Sequence, residues 1–240
     1  MGHIKLSCSE TMQIQIHSAE QVEIEVGKIS LEKRGKLLHL VRHAHGVHNA
    51  VGEVNYDDYK LEVNEDAVLT DLGVSQCKEL SEAAAALVSG SKVLLVSPMR
   101  RTLETAQYSF PSLIGKVPWI ALESLREQTG AHPCDRRRPK SELSVKHPHV
   151  DFSQVMDELD PLYWNYPTSR EPSEEVSKRC RDLLRWVLAS DYEELVIVTH
   201  SAYLRHLLAI LSPEANQDPQ SMDHFKNCEL RSLVVCGDLK

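Results

Sequence analysis

Three short, nearly continuous apolar runs constrain this chain more than any other feature: Leu37-Leu-His-Leu-Val41, Val93-Leu-Leu-Val96 and Leu195-Val-Ile-Val198. A strand buried on both faces gives such a run, and a helical pattern follows or separates each one. Val74, Cys77, Leu80, Ala84 and Leu87 recur at helical spacing, with Thr70 or Asp71 placed to cap that helix and Gly90 to close it. Further helices are expected from about 100 to 108, through Val176, Cys180, Leu183, Leu184 and Val187, and from 202 to 211, with Leu230–Val235 closing the sheet. The alternation predicts an α/β fold, a three-layer αβα sandwich with a mainly parallel central sheet. Residues 110–170 hold seven of the eleven prolines and little periodicity, and read as a partly helical cap insertion. Met12–Ile16 and Val22–Val26 alternate with period two, so residues 1–35 are expected to form an N-terminal extension, either a small hairpin or disordered, with the α/β domain spanning 36–240.

Composition narrows the function classes. Twenty-seven Lys and Arg against 35 Asp and Glu give a net charge of −8, which argues against binding nucleic acid through bulk charge. No apolar stretch approaches the roughly 18 residues of a membrane span. The six cysteines show no spacing suggestive of zinc. The N-terminus lacks a basic-then-apolar signal, and its glutamates disfavour a transit peptide. The expectation is a cytoplasmic protein acting on a small substrate, without nucleic acid or membrane as partner, metal or other cofactor.

In open α/β sheets, ligands bind outside the carboxyl ends of the strands. Here those ends carry Arg42-His43, Ser97-Pro-Met-Arg-Arg101 and Thr199-His200-Ser201. Three strand ends thus deliver cationic or protonatable residues to one edge, where helix N-termini add N–H donors. Such a pocket suits a multi-oxygen anion, and phosphate is the common one.

The same residues carry a family resemblance. Leu40-Val-Arg42-His43-Ala-His45-Gly-Val-His-Asn49 resembles the signature of the histidine phosphatase superfamily, the phosphoglycerate mutase-like proteins. Leu69-Thr70-Asp-Leu-Gly73-Val-Ser-Gln76, Ser97-Pro98-Met-Arg-Arg101-Thr-Leu-Glu-Thr105-Ala106 and Val198-Thr-His200-Ser201 resemble its further motifs, in family order. Segments around Leu125–Arg137 and Asn227–Ser232 are similar to a plant and fungal subgroup. The resemblance implies a metal-independent phosphatase: His43 as the nucleophile forming a phosphohistidine, Arg42, Arg101 and His200 holding the phosphoryl oxygens, and Glu127 as acid and then base. Glu123 competes for that last role. Asn49, Ser201 and Arg136 are candidate substrate contacts, although Ser201 could be only an N-cap and Arg136, in the run Arg136-Arg137-Arg138-Pro-Lys140, only part of a solvated face. Tyr163, Trp164 and Tyr166 are candidate apolar walls.

The departures from the family pattern matter. Ala44 stands where Gly is usual, His45 where Glu or Gln is usual, and Gly46 where mutases tend to carry Ser or Thr. The mutases' Glu-Arg-His-Tyr-Gly segment is absent, which favours a phosphatase over phosphoglycerate mutase-type phosphotransfer. Two rivals stand beside this reading. His43-Ala-His45-Gly-Val47-His48 resembles a metal hydrolase's H-x-H-x-D-H motif, with Val47 in the place of Asp. A non-catalytic phosphate-binding module could share the fold without turnover.

Overall fold

The computed structural model describes residues 12–16, 35–211 and 219–237. In chain order these form β1 (Met12–Ile16), β2 (Lys36–Arg42), α1 (Val47–Val54), α2 (Asp71–Ala84), β3 (Val93–Val96), α3 (Arg100–Ser109) and β4 (Trp119–Ala121). There follow α4 (Lys140–Lys146), α5 (Pro161–Trp164), α6 (Ser173–Ala189), β5 (Glu194–Thr199), α7 (Ser201–Leu211) and β6 (Leu230–Gly237). The six strands make one sheet in the order β1-β6-β2-β5-β3-β4. The four from β2 to β4 are mutually parallel, and β6 and β1 continue the sheet antiparallel.

Alternation along the strands explains the layers, because successive side chains leave opposite faces. Leu38, Leu40, Val93, Leu95, Leu195 and Ile197 point to one face, where they meet Val176, Cys180, Leu183 and Leu184 of α6 and Leu204 and Leu207 of α7. Val41, Leu94, Val96, Val196 and Val198 leave the other, against Ala84 of α2 and Leu103, Ala106 and Phe110 of α3. This is the expected three-layer αβα sandwich. The parallel register sets Arg42 opposite Thr199 and Val96 opposite Val198, so the chain leaves β2, β3 and β5 at one edge.

Two elements differ from the sequence expectation. β4 lies inside the stretch read as insertion; at three residues it is too short to show a period, and it pairs with β3 through Leu94–Trp119 and Leu95–Ile120. The irregular chain therefore begins after β4. The anticipated hairpin partner of Met12–Ile16 lies outside the described residues, and Met12–Ile16 itself pairs with β6 at the sheet's edge.

Arginine forks hold the irregular stretch in place of regular ladders. Arg126, 1% exposed, donates to the carboxylates of Asp160 at 2.7 Å and Glu123 at 3.0 Å and to the Asp135 carbonyl. Arg137 donates to the carbonyls of Asp157, Arg138, Glu158 and Leu159 and pairs with Glu123 at 2.6 Å. Arg170 binds the Gly130 and Gln128 carbonyls and Asp135, and Arg179 those of Ser124, Arg126 and Glu127. A planar five-donor cation can satisfy several buried carbonyls that no neighbouring strand reaches.

Removing one partner of a buried pair leaves the other charge uncompensated. Replacing Arg126 by Leu should therefore cost about 3–5 kcal/mol, read from the urea unfolding midpoint. An exposed pair such as Arg185–Asp182, 2.9 Å apart, should contribute no more than about 1 kcal/mol in the same assay.

Candidate active site

The residues that leave β2 form a loop whose backbone is fully engaged. The His43 N–H donates to the Thr199 carbonyl at 2.9 Å, and the His43 carbonyl accepts from Cys228 N–H and Asn227 Nδ2, both at 3.2 Å. The Ala44 N–H donates to Thr105 Oγ1 at 2.9 Å, and the His45 N–H to Gln76 Oε1 at 2.9 Å. The His45 carbonyl accepts from the Thr70 N–H at 3.0 Å and its hydroxyl at 3.1 Å. Thr70 also caps α2, accepting from Gly73 N–H at 3.1 Å. Gly73 is required by close approach: a Cβ there would stand 2.2 Å from the His45 carbonyl oxygen. The Leu-Thr-x-x-Gly-x-x-Gln and Ser-Pro-x-x-Arg-x-x-x-Thr motifs are thus braces for this loop.

The imidazole of His43 is buried and its Nδ1 lies 2.8 Å from the Ala44 carbonyl oxygen. A carbonyl only accepts, so Nδ1 carries the proton and Nε2 presents a lone pair. The His200 ring stands edge-on to it at 5.3 Å between centroids, and the His48 ring lies at 5.3 Å on another side. His200 Nε2 meets Ser97 Oγ at 2.8 Å, while its Nδ1, like His48 Nδ1, is buried without a hydrogen bond. Burial, followed by the positive charge of Arg101, holds all three histidines well below the ordinary histidine range. Arg42 adds to this at His43 and His48.

Both arginines are anchored away from their free edges. Arg101, 1% exposed, donates through Nη1 to the Cys134 carbonyl at 2.6 Å and through Nη2 to Asp135 at 3.0 Å. Arg42 Nη1 donates to the Phe225 carbonyl at 2.7 Å. Each keeps a buried Nε without a partner. Glu127 bridges to α7: Oε1 accepts from Gln128 N–H at 2.9 Å and Tyr203 N–H at 3.1 Å, and Oε2 from Ala202 N–H at 3.2 Å. Its charge also acts on Arg42. The five residues Arg42, His43, Arg101, Glu127 and His200 accordingly form one cluster at the carboxyl edge of the sheet.

The other candidates fall out differently. Ser201 opens α7, but the helix's next two N–H groups are capped by Glu127 from a distant loop, so Ser201 is not the N-cap. Asn49 Oδ1 accepts from Gly46 N–H at 3.0 Å, which orders the start of α1. Arg136 is not a free anion grip: Glu65 at 2.9 Å and Glu62 at 2.5 Å hold its guanidinium, with the Tyr163 and Trp164 rings 5.5 and 5.6 Å away. Nor is its run a solvated face, since Arg137 is buried and Arg138 pairs with Glu65 and Glu142. Glu123 is committed to Arg126 and Arg137. Ser97, Asp135, Asn227 and His48 stand within the family-like segments, but no role was legible for them, because their contacts arise only when distant segments meet. In the metal-hydrolase-like run from His43 to His48 the rings do not converge on one point, because His45 Nδ1 binds Thr70 Oγ1 at 2.8 Å and its Nε2 lies 3.4 Å from Glu53. Among the described residues no three His, Cys, Asp or Glu side chains are grouped as a metal ion requires, and no helix is long and apolar enough to cross a membrane. Cys77, Cys134, Cys180 and Cys228 are in no disulfide.

Compared with known families, residues 38–239 match the histidine phosphatase superfamily (branch 1). The chain belongs to that superfamily. It is 35% identical to an Arabidopsis thaliana phosphoglycerate mutase-like protein, over 84% of this chain and 85% of that one. With Arabidopsis phosphoglycerate mutase-like protein 1 the identity is 37%, over 84% and 82%. Among solved structures, the alpha-ribazole phosphatase of Shigella flexneri superposes with a TM-score of 0.55 at 20% identity, covering 82% of this chain and 89% of that one. The Bombix mori ecdysone phosphate phosphatase gives 0.54 at 16%, covering 82% and 88%. At such identities the structures establish the shared histidine phosphatase fold. The motifs that resembled the family are the ones that converge here on the pocket.

The depressed histidines of this pocket link stability to pH. Unfolded, each has a reference pKa of 6.5; folded, it stays neutral well below that. Below pH 6.5 the unfolded chain therefore binds more protons, and stability falls with falling pH. His147, lowered to about 4 chiefly by burial, contributes in the same direction between those limits. The urea midpoint should be flat above pH 7 and decline from pH 6.5 to 5.5, above the range of about 4 where carboxylates titrate.

Proposed function

We propose that this protein is a metal-independent phosphomonoesterase that works through a phosphohistidine on His43. The observation that carries the reading is the His43 imidazole itself: proton fixed on Nδ1, lone pair on Nε2, kept neutral among two anchored arginines. A neutral ring is the nucleophilic form, and the cations that keep it neutral also suit a phosphate dianion.

In this mechanism Nε2 attacks phosphorus in line as the ester P–O bond breaks. Arg42, Arg101 and His200 stabilise the charge on the equatorial oxygens. Glu127 gives its proton to the leaving alkoxide, then takes one from the water that cleaves the P–N bond and releases phosphate. The three N–H groups that donate to Glu127 hold its carboxyl group in place for both steps. The ion pairs of Arg136 support a phosphatase over a mutase, since that cation is already neutralised by Glu62 and Glu65 and is not available to retain a second phosphate.

Replacing His43 by Ala should abolish hydrolysis of para-nitrophenyl phosphate, at a wild-type rate that a chelator leaves unchanged. Alkaline quenching with phosphorus-labelled substrate should trap a base-stable, acid-labile label in the wild type and none in the variant. A rate lost to chelator, or a label surviving His43→Ala, contradicts the mechanism. Replacing Glu127 by Gln should slow alkyl phosphate hydrolysis by about 10²–10⁴-fold. Phosphoenzyme formation from para-nitrophenyl phosphate should fall far less, because nitrophenolate leaves without a proton; equal losses for both substrates would remove Glu127 from the acid role.

A further inference from the structure

From the nucleophile, rings continue outward in a chain that the phosphoryl chemistry does not use. His48 lies 5.3 Å from His43, Tyr59 5.8 Å from His48, His132 5.7 Å from Tyr59, and Tyr56 5.4 Å from Tyr59 and 6.0 Å from His132. Two glycines of the α1 region make room for it. A Cβ on Gly46 would stand 2.7 Å from the His48 ring, and one on Gly52 only 1.8 Å from the Tyr59 ring. The family departure at position 46 thus exchanges a small hydroxyl for space beside an imidazole.

The Tyr59 hydroxyl accepts from Asn49 Nδ2 at 3.5 Å, and Asn49 meets Asn227, which donates to the His43 carbonyl at 3.2 Å, so the phenol end of Tyr59 lies toward the phosphate-binding loop. The outer end opens to solvent. Tyr56 is 65% exposed and is flanked by Val54 and Val63, at 88% and 86%. Trp164, 57% exposed, faces the same segment through Arg136, which is paired to Glu62 and Glu65. Packing in a core does not account for apolar side chains left in water around a pocket; a ligand that covers them does. Flat rings set edge-on or tilted also offer faces for another ring.

We infer that this ladder is the leaving-group subsite, and that the substrate is a phosphate monoester whose alcohol carries an aromatic ring packed against the Tyr59–His132 ring pair. The inference rests on the phosphatase reading for its orientation, with phosphate at His43 and the alcohol directed outward.

Benzyl phosphate and cyclohexylmethyl phosphate share size and a primary alkoxide but differ in aromaticity; a nucleoside 5′-monophosphate and ribose 5-phosphate differ in the base. Wild-type kcat/KM should favour benzyl phosphate by about tenfold, the scale of one or two ring contacts. The nucleotide pair distinguishes a nucleobase from a simple aryl ring: a matching preference points to the former, and its absence to the latter. Tyr59→Leu and His132→Leu should bring the benzyl-to-cyclohexylmethyl ratio towards one. Tyr59→Phe, which keeps the ring, should preserve it, and Gly52→Ala, which displaces Tyr59, should reduce it. Binding of benzyl and cyclohexylmethyl phosphonate, measured by calorimetry, reads the same preference without turnover. Phosphonate discrimination without hydrolysis would overturn the phosphatase reading and keep the ring subsite. Equal binding of the two phosphonates by the wild type, or a preference unchanged by Tyr59→Leu and His132→Leu, overturns the subsite.

Discussion

The backbone of residues 43–45 is held from every side, and the arrangement of the pocket depends on that. Its N–H and carbonyl groups are taken by β5, by α2, by α3 and by the turn before β6. A loop leaving a strand would otherwise present these groups to water and sample many conformations. Here the partners come from the sheet, from the α2–α3 layer on one of its faces and from the turn before β6, so the loop can move only if those parts separate. The side-chain consequence is immediate: with Ala44 fixed, its carbonyl fixes the His43 ring and the nitrogen that bears the proton.

Electrostatics then works on a rigid frame. Three imidazoles and two guanidiniums share one buried space, an arrangement whose mutual repulsion is relieved by keeping the imidazoles neutral. The arginines are fixed in direction because each is tied at its far edge, Arg101 to Asp135 and Arg42 to the Phe225 carbonyl. Asp135 in turn pairs with Arg170, which fastens the loop carrying Glu127. The acid/base candidate and the candidate phosphate-binding arginines are therefore parts of one network, and the arginine-laced insertion is the frame of the site as much as its cover.

Much of this was legible in the chain. The buried runs at 37–41, 93–96 and 195–198 specified a parallel sheet, because burial on both faces leaves a continuous apolar signature within a few residues. Their shared carboxyl edge brought Arg42, His43, Arg101 and His200 together before any contact was seen. The insertion was not legible. Arg136 reads identically whether it faces solvent, an anion or two glutamates some seventy residues earlier, and Ser201 has the chemistry of an N-cap whose place Glu127 takes. β4 was hidden because three residues carry no period.

By itself, then, the sequence determined the layered α/β fold, the family, and which strand ends meet, since these follow from local periodicity and from motifs confined to about ten residues each. Only the tertiary structure decided which charges are already neutralised, where Glu127 lies, and that His48, Tyr59 and His132 line up from His43 to the surface. Those facts depend on pairings between segments tens of residues apart. Ion pairs and ring contacts of that kind leave no pattern along the chain, because any Arg can meet any Glu, and any ring another, once the loops between them have folded.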